Sequence, residues 1–100
     1  MKLALDAADL AWLQHWLTLA LPLHEVLAYG SRVNGSSHDG SDLDLVIRHR
    51  LHPETPCPEL AALRAQLADS PLPISIDLQD WARLPASFRA EILRSALLLQ

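Results

Sequence analysis

The segment from Tyr29 to Ile47 constrains this chain more than any other. It runs Tyr-Gly-Ser-Arg-Val-Asn-Gly, then a polar loop Ser-Ser-His-Asp-Gly, then Ser-Asp-Leu-Asp-Leu-Val-Ile. The last part alternates apolar and polar residues, the pattern of a half-buried strand. Side chains at i and i+2 of a strand share a face, so Asp42 and Asp44 point the same way, opposite Leu43, Leu45 and Ile47. Two unpaired carboxylates that close repel each other and favour a cation between them.

Carboxylate oxygens with room for water suit Mg²⁺, which commonly takes one or two protein carboxylates and completes its shell on substrate phosphates. The Gly30-Ser31 turn lies just upstream and offers backbone N–H groups to such phosphates. Together these residues imply a site for a metal-bound nucleoside triphosphate. Gly30 and Gly35 are also spaced as in a P-loop, but Ser36 stands where that loop needs Lys.

Gly30-Ser31-Arg32, then Gly35, five further residues, and Ser41-Asp42-Leu43-Asp44-Leu45 resemble the signature of the minimal nucleotidyltransferases of the DNA polymerase β-like superfamily. The resemblance covers roughly residues 24 to 80. That family often carries Ala and Arg where this chain has Val33 and Asn34, a departure confined to the loop. The resemblance implies a third acidic ligand from a later strand, and Ile74-Ser75-Ile76-Asp77-Leu78 matches it at Asp77. Asp42, Asp44 and Asp77 are then the expected catalytic and metal-binding residues, with Asp77 orienting the metal or acting as base. Gly30, Ser31, Arg32 and Ser41 are the expected nucleotide-binding residues, Ser41 serving also as cap or orienter of the loop. The cofactor would be Mg²⁺, as two ions, with ATP as substrate.

The same resemblance implies AMP transfer from ATP onto a hydroxyl. Such short proteins often act as antitoxins to a helical HEPN-type ribonuclease toxin, and some silence it by modifying a toxin tyrosine. Two other readings stay open: an antitoxin that neutralises by masking alone, and a transferase for a small molecule.

One hundred residues suggest a single domain over 1–100 with one modest core. The net charge of −4 argues against direct nucleic-acid binding, which favours a basic patch. No apolar run reaches the roughly 18 residues of a membrane span, and the N-terminus lacks the pattern of a signal peptide. The lone Cys57 has no internal partner, which suits a reducing cytoplasm. His15, His24, His49 and His52 show no metal-ligand spacing.

The remaining pattern predicts an α/β fold: a small mixed sheet of three or four strands with helices packed on one face. Residues 6 to 21 read as a helix capped by Asp6, with Leu10, Leu13, Leu17 and Leu21 inward and Trp12, Trp16 and Leu19 beside them. Strands are expected at Val26–Tyr29, Asp42–Ile47 and Ile74–Leu78. A short helix follows Ser31, a second spans 58 to 69 with Pro58 near its first turn, and a last one runs from Leu84 or Pro85 into the high nineties. On that last helix Leu97, Leu98 and Leu99 cannot all face inward, which predicts an apolar surface for a partner or a second copy. The alternative is a terminal strand on the sheet edge.

Overall fold

The first helix starts where a side chain can replace a missing backbone partner. In the computed structural model, which describes residues 3–100, the Asp6 carboxylate accepts from the Ala8 N–H at 2.8 Å. Met1 and Lys2, part of the stretch read above for a signal peptide, lie outside the described residues. Helix α1 spans Ala7–Ala20 and is closed by the Leu21 N–H on the Leu17 carbonyl. Pro22 then prevents continuation. Strand β1 (His24–Tyr29) follows, then the one-turn helix α2 (Ser31–Asn34), β2 (Leu43–His49), α3 (Leu60–Ala68) and β3 (Ile76–Asp80). A 3₁₀ turn (Trp81–Arg83), α4 (Ala86–Leu93) and the two-residue β4 (Leu97–Leu98) complete the chain.

The four strands form one mixed sheet in the order β3-β2-β1-β4. β1 is antiparallel to both neighbours, and β2 and β3 are parallel. A parallel pair needs a crossover, which α3 supplies. Leu13, Leu17 and Leu21 of the α1 region and Leu60, Leu63 and Leu67 of α3 pack onto one sheet face, meeting Val26, Ala28, Leu43, Leu45, Ile47 and Leu78. Trp12 and Trp16 flank this core. Alternation sends Leu27, Tyr29 and Val46 to the other face, where Trp81 and Ile92 cover them. The main helices therefore share one face as expected, and the 3₁₀ turn and α4 add a smaller cluster on the other.

Several boundaries move. β2 begins after Asp42 and runs to His49, and β3 is displaced toward Asp80. Pro58 precedes α3, whose cap position is Glu59. Leu10 is only half-buried and Leu19 is 71% exposed, so the apolar stripe of α1 is narrower than its leucines suggest.

The largest change is at the C-terminus. α4 ends at Leu93, and Leu97–Leu98 pair with Leu27 and Ala28 of β1. Leu99 N–H donates to the Val26 carbonyl, and Val26 N–H donates back to the Gln100 carbonyl. Continuing as helix would leave the β1 edge unpaired and expose more leucine. The Gln100 amide nitrogen lies 2.7–3.3 Å from the carbonyls of Leu17, Leu21 and His24, which ties the tail to the end of α1. No described helix is long and apolar enough to cross a membrane.

Candidate active site

β1 cannot run past Tyr29, because Gly30 takes φ +79°, a left-handed backbone that favours glycine. A Cβ at Gly30 would overlap the Asp44 carboxylate. The turn and the strand carboxylate are thus in close contact, and the missing side chain is what permits it.

Register places the other groups. Tyr29 is paired with Asp44 across the antiparallel β1–β2 ladder, and Asp44 with Asp77 across the parallel β2–β3 ladder. Paired residues of adjacent strands project from the same face, so Tyr29, Asp44 and Asp77 form one row. Asp42 sits just before β2, exposed, two residues upstream of Asp44. Its neighbours are fixed: the Leu43 N–H donates to the Ser75 carbonyl at 2.9 Å, joining the start of β2 to the approach of β3.

The row is electrostatically coupled. Burial raises the Asp44 carboxyl above its ordinary pKa, and the charges of Asp77 and then Asp42 raise it further. Burial followed by the same two-strand carboxylates, Asp44 and Asp77, pushes the Tyr29 phenol up to about 12. A cation among these carboxylates would reverse the sign of that repulsion. Asp77 is also held by the Gln79 amide, which donates to its Oδ1 at 2.9 Å.

The donor set fits Mg²⁺ in chemistry: carboxylate oxygens only, with Asp42 open to solvent. Among the described residues, no three His, Cys, Asp or Glu side chains stand gathered at metal-binding distances. Register sets Asp44 beside Asp77, and Asp42 lies two residues before Asp44, outside the ladder, so the three do not form a closed cage.

Ser31 is half-buried at the head of α2, where the chain leaves Gly30. Ser41 is occupied locally: its hydroxyl oxygen accepts from the His38 N–H, and its own N–H donates to the His38 carbonyl, both at 2.9 Å. The Arg32 side chain, expected at the phosphates, is directed into the fold. It is only 8% exposed, and its guanidinium donates to the carbonyls of Ala4, Asp39 and Ser41.

Two features escape a reading of the sequence. Tyr29 reads as the last residue of a strand, and only register reveals that it stands beside Asp44. His24, distant in sequence from His49 and His52, packs against the His49 ring at 5.2 Å, and His49 stacks on His52 at 5.3 Å. The His49 Nδ1 already accepts from the Leu51 and His52 N–H groups, so that nitrogen is committed to the loop.

Residues 18–100 match the family "Polymerase beta, Nucleotidyltransferase". The chain is 38% identical over 95 residues to "Probable protein adenylyltransferase MntA" of Haemophilus influenzae, covering 93% of this chain and 79% of that protein. In fold it resembles a crystal structure of a toxin–antitoxin with AMP-PNP, at a TM-score of 0.72 and 20% identity, over 96% of this chain and 73% of the other. It also resembles a mutant MntA–HpeT toxin–antitoxin, at a TM-score of 0.73 and 17% identity, over 91% of this chain and 72% of the other. The paired carboxylates beside a glycine turn and the match over most of the chain lead to one assignment: this protein is a nucleotidyltransferase of the polymerase beta family.

Proposed function

We propose that this chain, acting as one domain over residues 1–100 in the cytoplasm, moves AMP from ATP onto a tyrosine hydroxyl of a helical HEPN-type ribonuclease, and so serves as its antitoxin. The observation that carries the reading is the register of Asp44 with Asp77, set against the Gly30 turn. The relative named as a protein adenylyltransferase supports the reaction. The resemblance to toxin–antitoxin structures, one holding AMP-PNP, supports the nucleotide and the partner.

Asp42, Asp44 and Asp77 would hold Mg²⁺, as two ions. The metal supplies charge neutralisation on the phosphates and on the attacking and leaving oxygens. Gly30 lets the backbone approach the phosphates, and the Ser31 hydroxyl donates to one of their oxygens. Ser41 holds the loop before Asp42 in its turn. The tyrosine oxygen attacks the α-phosphorus in line. A new O–P bond forms as the bond to pyrophosphate breaks, and Asp77 takes the tyrosine proton.

The test is incubation of the protein with labelled ATP, Mg²⁺ and the product of the neighbouring gene. Label should pass to the partner and be lost with Asp44→Asn. A partner silenced in stoichiometric complex but never labelled would overturn transfer in favour of masking. Label on a small molecule alone would move the acceptor elsewhere.

A further inference from the structure

Arg32 is a buried cation whose partners are backbone carbonyls rather than a carboxylate. Its Nε donates to Ser41 O at 3.0 Å, its Nη1 to Ala4 O at 2.7 Å and its Nη2 to Asp39 O at 3.4 Å. The Ala4 N–H donates back to the Arg32 carbonyl at 2.7 Å, so the N-terminal segment and Arg32 grip each other twice. Burying a guanidinium is costly unless it is hydrogen-bonded, and here two segments, the N-terminal one and the loop from Asp39 to Ser41, supply three carbonyls to it.

What the fork holds is the peptide group before Asp42. The Ser41 carbonyl is fixed by Arg32, and one residue beyond Asp42 the Leu43 N–H is fixed by Ser75. Asp42 is therefore gripped on both sides. The loop that leads to it is tied internally by polar contacts alone, His38 with Ser41 and Gly40 with His38, and it buries little: Ser36, His38, Asp39 and Gly40 are all exposed. Segments with few buried apolar contacts open easily. A ligand for a charged substrate must be held far more tightly than such a loop allows unaided.

We propose that Arg32 is a positioning residue, which sets Asp42 for the transfer reaction by clamping the loop from Asp39 to Ser41 against the N-terminal segment, and that it does not contact the phosphates. This rests on the proposed reaction, but the clamp can be tested without it.

Arg32→Gln and Arg32→Lys separate the two roles. Lysine keeps the charge, yet a point donor cannot reproduce a planar fork onto three carbonyls. Hydrogen exchange of the amides from His38 to Leu43 in the ligand-free protein should quicken by roughly tenfold or more in both variants, with Leu45 and Val46 unchanged. In transfer assays both variants should lose kcat and need more Mg²⁺, while KM for ATP changes little. Unchanged loop exchange, or a raised KM for ATP that lysine rescues, would overturn the clamp and restore a phosphate contact. Should a variant fail to fold, the wild-type Arg32 Nε–H decides. Slow exchange of that proton by NMR supports the clamp, and free exchange refutes it. A wild-type protein with no transfer activity would count against the reaction and leave the exchange test of the clamp standing.

Discussion

Gly30 can touch Asp44 only because position 30 has no side chain: a methyl group there would overlap the carboxylate. Gly30→Ala therefore meets two penalties at once. The backbone at φ +79° is strained for any L side chain, and the new carbon must displace a group the site requires. The strain alone should cost about 1–3 kcal/mol of stability. Thermal unfolding should show that loss, and transfer should fall by more than stability explains. A variant as stable and as active as the wild type would mean that the turn does not hold Asp44 in place.

Asp44→Asn should separate catalysis from stability. The folded carboxyl titrates above its unfolded value, first through burial and then through Asp77 and Asp42. In the window above the ordinary 3.8 the folded state thus binds more protons than the unfolded chain, and stability falls as pH rises. Above the folded pKa the penalty stands in full. Asn carries none of it, so the ligand-free variant should be more stable at neutral pH by about 0.5 kcal/mol, a small gain because solvent screens a half-exposed group. Urea midpoints should converge as the pH drops below 3.8. Transfer should be abolished throughout. A variant less stable at pH 7 would show that Asp44 is held by favourable contacts instead of repelled.

Much of this site is legible in the residues themselves. Alternation places Asp42 and Asp44 opposite Leu43, Leu45 and Ile47, and the core bears that out for Asp44. That Asp77 lies beside Asp44 depends on which strands are neighbours, and no local pattern encodes β3-β2-β1-β4. The Leu97–Leu99 tail misleads for a similar reason. Its composition fits helix or strand equally, and the open edge of β1 decides for strand. The place of Arg32 is not legible at all, because a guanidinium suits phosphate and carbonyl oxygens alike, and only the fold shows it buried against carbonyls.

Mg²⁺ and ATP together should stabilise the protein more than either alone. The charges of Asp77 and Asp42 oppose ionised Asp44 in the free protein, and a divalent cation would relieve that while the triphosphate completes its shell. At a hundredfold excess over Kd, binding adds about 2.7 kcal/mol, which moves Tm by roughly 10–20 °C in a domain of this size. Asp77→Asn should erase most of the shift. An unchanged melting temperature at saturating Mg²⁺ and ATP would remove support for the metal-bound triphosphate.

Acid should weaken the fold at the opposite end of β1, through His24. Burial lowers its pKa and the adjacent His49 ring lowers it further, against weaker upward pulls from Asp80 and Glu59. Below the unfolded value of 6.5 the unfolded chain takes up a proton that folded His24 resists. Stability is therefore complete above that pH, falls as pH drops through the window below it, and levels off once the folded ring is also protonated. Half-exposure limits the loss to about 0.5 kcal/mol. His24→Gln cannot titrate, so its urea midpoint should drop less between about pH 7.5 and pH 5.5 than that of the wild type. His24 starts the strand that Tyr29 ends, so transfer at pH 7.5 should be unaffected by the change. Equal midpoint losses in the two proteins would place the acid sensitivity in another group.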